Sequence, residues 1–147
     1  MRRYAVLALT VLSLAAVGAG AQSNTAHEGV RRAVLDYVEG FYEGDTLKLQ
    51  RSIRPEVYKY GFWVPRGSTV YSGEQMPWPE FLEYANRVRQ NNRQAPATAP
   101  KDIVVYEAQD QTASAKLTAT WGTDYLLLGK FDGKRMITHV LWQTTKK

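Results

Sequence analysis

The sequence predicts an α+β fold in which helices pack on one curved, mostly antiparallel sheet. Three observations predict it. Apolar residues recur at helical spacing from Glu28 to Tyr42, and again after Pro77. From Lys101 onward the chain reads as consecutive strand-like runs separated by short turns. The last two runs meet at Asp132-Gly133, a dipeptide that suits the two positive-φ positions of a two-residue hairpin.

The chain opens on an export signal. Met1-Arg2-Arg3 is basic, Ala5 to Val17 is uncharged and mostly apolar, and Ala19-Gly20-Ala21 has the small-x-small form cut by signal peptidase. This apolar run is shorter than the roughly 20 residues that span a bilayer, so a signal peptide over residues 1–21 is favoured over a retained anchor. Cleavage leaves 147 − 21 = 126 residues, the size of one domain, with a net charge of 5 − 2 = +3. The expected product is periplasmic or secreted, with no membrane attachment after cleavage. The absence of cysteine excludes disulfides, thiolate metal sites, a lipidated cysteine and a cysteine nucleophile. Basic residues are scattered and form no stripe interleaved with aromatics, which argues against a nucleic-acid partner.

Residues 22–27, including His27, are expected to form a disordered polar flank, and residues 28–145 a single domain. Val30, Ala33, Val34, Tyr37, Val38 and Phe41 form the apolar stripe of the first helix. Asp45 is placed to cap a short helix, Thr46 to Ser52, with Pro55 beyond its end. Val57 to Val64 (VYKYGFWV) is a strand in which half the residues are aromatic, and Thr69 to Ser72 is a short extended piece. Pro77-Trp78-Pro79-Glu80 starts a helix that runs to about Gln90, with Phe81, Leu82, Ala85 and Val88 on its buried side. Asn91 to Pro100 is a polar loop, Lys101 to Gln109 a strand, and Thr112 to Gln143 the closing meander.

Two segments carry a resemblance: Asp36-Tyr37-x-x-Gly40 with Gly44-Asp45, and Asp124-Tyr125-Leu126 with Gly133 and Trp142. Together with the runs around them, they resemble the putative lumazine-binding family of the nuclear transport factor 2-like superfamily, over roughly Glu28 to Gln143. The resemblance implies a cone whose helices and curved sheet enclose a pocket, commonly as a homodimer through the sheet. The chain departs from the pattern at Arg54, where a histidine is usual, and at Arg135, where a tryptophan is usual. A superfamily this broad leaves function to be argued from the site.

If Asp132-Gly133 is a two-residue turn and the hairpin is regular, Leu128 faces Ile137, Leu126 faces His139 and Tyr125 faces Val140. Asp124 then lies on one face with His139 and diagonal to it, a geometry that can orient an imidazole as a base. A one-residue slip would carry His139 to the other face. Trp63, Tyr71, Trp78, Phe81, Tyr125 and Trp142 are the candidate lining of a pocket for a small apolar or aromatic ligand. No Gly-rich phosphate loop, nucleophile elbow or metal-spaced histidine pair is present, and the sequence names no cofactor. Two functions follow: an exported small-molecule-binding protein, or an isomerase-, cyclase- or hydratase-type enzyme. The enzyme would use His139 and Asp124 as the acid–base pair and Tyr60 or Tyr125 as the oxyanion donor.

Overall fold

The computed structural model describes residues 15–145, with side chains from Thr25 onward. The basic start and most of the apolar run of the expected signal lie outside these residues. Helix α1 spans Ala15–Glu43, so it extends back through residues 22–27, which were expected to be disordered. No proline interrupts the chain there, and Ala21, Gln22 and Ala26 favour continuation of a helix already nucleated by its packed half.

Helix α2 (Thr46–Ser52) starts where expected, its Asp45 carboxylate accepting hydrogen bonds from the Leu47 and Lys48 amides at 2.9 and 3.2 Å. Strand β1 (Ile53–Trp63) begins four residues before the expected Val57. Ile53 pairs with Ile137 of the last strand, and Pro55 falls where the ladder is irregular, between Ile53 and Tyr58. The remaining elements are β2 (Ser72–Gln75), α3 (Trp78–Gln90), β3 (Asp102–Ala108), β4 (Thr112–Ala119), β5 (Gly122–Phe131) and β6 (Lys134–Gln143). The six strands form one sheet in the order β2-β1-β6-β5-β4-β3. All pairs are antiparallel except β1 with β6. The helices lie against one face of the sheet, where Val34, Tyr37, Val38 and Phe81 pack with Leu117, Leu126 and Ile137 in a single core.

The Asp132-Gly133 turn is as expected, with φ of 48° and 78°, and Leu128 does face Ile137. Beyond that pair the register shifts. Leu127 faces His139, Leu126 faces Val140, and Tyr125 faces Leu141. Thr138 is the extra residue of a β-bulge, with its hydroxyl 3.2 Å from the Leu127 carbonyl. The expected pairs Leu126–His139 and Tyr125–Val140 are therefore wrong by one residue. Because side chains alternate, that single insertion exchanges the faces of everything after it. Val140 and Trp142 turn toward the helices, while His139 and Leu141 turn away.

Gly61 of β1 sits beside Trp142 in the parallel ladder. A Cβ at Gly61 would come within 1.7 Å of the Trp142 Nε1, so the indole occupies space that only glycine leaves open. Gly61→Ala is expected to expel the ring and lose about 1–3 kcal/mol, as overpacked cores do, in urea denaturation followed by tryptophan fluorescence. Unchanged stability and emission would show that Trp142 does not depend on this seat.

Candidate ligand pocket

On the helix-facing side of the sheet, Lys59 of β1 and Asp124 of β5 are both buried, on strands to either side of β6. Alternation along β1 places Val57, Lys59 and Gly61 toward the helices. Lys59 pairs with Val140 and Gly61 with Trp142, and Trp142 in turn faces Asp124 of β5. Asp124 is fully buried and Lys59 is 6% exposed.

The two charges are joined through a helix residue. Tyr37 of α1 donates its hydroxyl proton to Asp124 Oδ2 at 2.7 Å and accepts a hydrogen bond from Lys59 Nζ at 2.9 Å. The second carboxylate oxygen accepts from the Trp121 indole N–H at 2.8 Å. The Lys59 ammonium also lies over the rings of Phe41, Phe81 and Tyr37, at 4.6, 5.1 and 5.2 Å from their centroids. One strand lysine thus stands among aromatic faces and makes one hydrogen bond to another side chain.

Burial disfavours the charged form of each group. It lowers the Lys59 ammonium from its ordinary value to about 8, with Asp124 opposing the shift. Burial raises the Asp124 carboxyl, although Lys59, Tyr37 and Trp121 all favour its ionised form. Tyr37 is pushed well above its ordinary value, by burial first and then by the adjacent carboxylate, so it is a neutral donor at physiological pH. For Lys59 the sign is clear: the unfolded chain holds this proton more tightly. Its penalty on folding is present below pH 8 and fades as pH rises toward 10.5.

Next to this network a pocket of about 340 Å³ opens between α1, α3 and the sheet. Phe41, Met76, Tyr84, Trp121 and Trp142 form apolar walls, Lys59 lies at its inner end, and Glu74, Glu80 and Arg87 supply an exposed polar rim. A volume near the low end for small-molecule sites suits a compact ligand. Among the described residues no cluster of His, Asp and Glu could hold a metal ion.

Of the residues proposed from sequence, Asp124 and Trp142 belong to this site. His139 does not: it is exposed on the opposite face of the sheet, 6.5 Å from the Tyr58 ring, with Nδ1 3.1 Å from Thr138 Oγ1. The His139–Asp124 pair is therefore not assembled, because the bulge at Thr138 separates the two by the thickness of the sheet. Tyr60 and Tyr125 also point away from the helices, Tyr125 being half exposed, so neither can donate into the pocket. Phe81 is core, with Trp78 packed on it at 5.5 Å. Trp63 ends β1, and the Tyr71 hydroxyl accepts from the Gln143 side chain at 3.2 Å; neither reaches the pocket walls. Tyr37 and Lys59 were missed as site residues. The alternation of Val57-Tyr58-Lys59-Tyr60-Gly61 contained the signal for Lys59.

Helices covering one face of a curved sheet around an aromatic-walled pocket define the nuclear transport factor 2-like class. Residues 25–143 match the family model described as Putative lumazine-binding, and the chain belongs to that family. Solved structures agree on the fold. A nuclear transport factor 2-like protein of unknown function from Shewanella baltica is 15% identical, with a TM-score of 0.62 over 84% of this chain and 97% of its own. One from Methylobacillus flagellatus is 16% identical, with a TM-score of 0.63 over 83% and 94%. One with a cystatin-like fold from Novosphingobium aromaticivorans is 8% identical, with a TM-score of 0.63 over 93% of both. No curated protein matches the chain.

Removing Asp124 strands two donors, the Tyr37 hydroxyl and the Trp121 indole, and takes away the charge that opposes the Lys59 ammonium, whereas removing the Lys59 charge leaves Asp124 with both of its hydrogen bonds. Asp124→Ala should therefore cost about 3–5 kcal/mol in chemical denaturation, and Lys59→Met distinctly less. Equal losses would contradict this assignment of the network.

Proposed function

We propose that this chain is an exported small-molecule-binding protein. Its ligand is compact and flat, and it presents an anionic or carbonyl oxygen to Lys59. The observation that carries this reading is the buried Lys59 ammonium at the inner end of an aromatic-walled pocket. Flat rings stack on Trp121, Trp142 and Phe41, while the ammonium selects for an acceptor. Family membership supports small-ligand binding. The acid–base enzyme alternative rested on His139 against Asp124, and that pair has no common face.

Homodimerisation and export complete the proposal. The sheet face away from the helices exposes Tyr58, Phe62, Val104, Tyr125, Leu127 and Leu141, each at least 38% accessible. Exposed apolar side chains on one sheet face suit a second copy of the chain. The basic start and the Ala19-Gly20-Ala21 site support secretion or release to a periplasm, and no described helix is long and apolar enough to cross a membrane.

Native mass spectrometry of the protein, isolated without refolding from the cells that make it, reads all three points. The expected spectrum shows a dimer of chains starting at Gln22, carrying a small non-covalent ligand that Lys59→Met loses. A ligand retained by Lys59→Met would overturn the role of the ammonium. A chain starting at Met1 would overturn export, and a monomer at micromolar concentration would overturn the dimer.

A further inference from the structure

A second, larger concavity of about 880 Å³ lies remote from the ligand pocket, between the front of α1 and the turns that end the β3–β4 and β5–β6 hairpins. Its walls carry five cations, Arg32, Arg51, Lys130, Lys134 and Arg135, against two acids, Asp36 and Asp110, a formal 5 − 2 = +3. Both acids are already engaged. Arg51 grips Asp36 through two bonds, at 2.8 and 2.7 Å, and Arg32 bonds the same carboxylate. Lys130 pairs with Asp110 at 3.2 Å.

That leaves Lys134 and Arg135 without an ion pair among the described residues. Lys134 is exposed, so water solvates it. Arg135 is only 9% accessible. Its stem lies against Gly29 of α1, where a Cβ would stand 3.4 Å from Arg135 Cγ. Its Nη2 donates to the Gln109 carbonyl, but Nη1 has neither an acceptor nor contact with solvent. Asp110 feels the Arg135 charge without forming an ion pair with it. A guanidinium removed from water with an idle donor is costly unless an acceptor completes its shell.

We propose that this groove binds a multiply charged oxyanion of the phosphate or polycarboxylate class, with Arg135 as its central contact and Lys134 and Lys130 on its rim. The planar fork of an arginine matches two oxygens of such a group at once. Because Nη1 is closed off, entry of the anion requires side-chain movement at the groove floor. The site shares no residue with the cone pocket, so it stands or falls separately from the function proposed there.

The test is isothermal titration of the full chain with pyrophosphate and with citrate at fixed ionic strength. Saturable one-to-one binding of either is expected, and the stronger of the two identifies the class. Arg135→Met, which retains the packing stem, should weaken it at least about tenfold, and Lys134→Ala, on the exposed rim, about threefold to tenfold. Arg93→Ala, at an exposed cation that lines neither concavity, should bind as the wild type does. No saturable heat with either anion in the wild type would overturn the proposal. Binding that survives both Arg135→Met and Lys134→Ala would also overturn it, by placing the anion elsewhere.

Discussion

Tyr37 donates a hydrogen bond to Asp124 and accepts one from Lys59, so a single helix residue bridges opposite charges on strands that are not neighbours in the sheet. Lys59 and Asp124 do not pair directly, and without that hydroxyl Lys59 would lose its one side-chain hydrogen bond and Asp124 one of its two. The bridge fixes how α1 sits on the sheet and holds the ammonium at the inner end of the pocket. It also explains why Trp121 is where it is. Its indole N–H completes the carboxylate shell at 2.8 Å, and its ring forms a pocket wall and meets Phe41 edge-on at 5.9 Å. Polar satisfaction and pocket construction are thus one arrangement.

The outer cations of α1 and its neighbours tie the same helix down by different means. Lys48 and Lys101 both reach Glu39, at 2.7 and 3.1 Å, linking α2 and the residue before β3 to the C-terminal end of α1. Tyr42 donates to the Pro100 carbonyl and accepts from the Thr120 amide, at 2.7 and 2.8 Å, clamping the β4–β5 turn against the loop before β3. Partly exposed ion pairs contribute little each. The buried Tyr37 bridge and the apolar core around it carry the larger share.

Much of this was legible in the residues themselves. The helical stripes, the Asp45 cap, the Pro-Trp-Pro-Glu helix start and the Asp132-Gly133 turn rest on local chemistry, and local chemistry decided them. The bulge at Thr138 was not legible. A threonine in a β run is an ordinary strand residue, and nothing near it, no Gly or Pro, marks an insertion. That one residue moved His139 to the outer face and Trp142 to the inner face. Tyr37 was hidden for another reason: in a helical stripe it looks like any core aromatic until the strand it meets is known. Lys59 was visible in the alternation of β1, but the flanking aromatics, Tyr58, Tyr60 and Phe62, belong to the opposite face.

The central claim is that Lys59 is an ammonium held out of water at the inner end of the ligand pocket. An NMR titration of the lysine side chains, with Lys59 assigned by its loss in Lys59→Met, measures this directly. The account predicts that the Lys59 resonance titrates near 8, well below the ordinary value for a lysine. A Lys59 that titrates at the ordinary lysine value of 10.5 would mean that water reaches the ammonium, and the buried anchor would be contradicted.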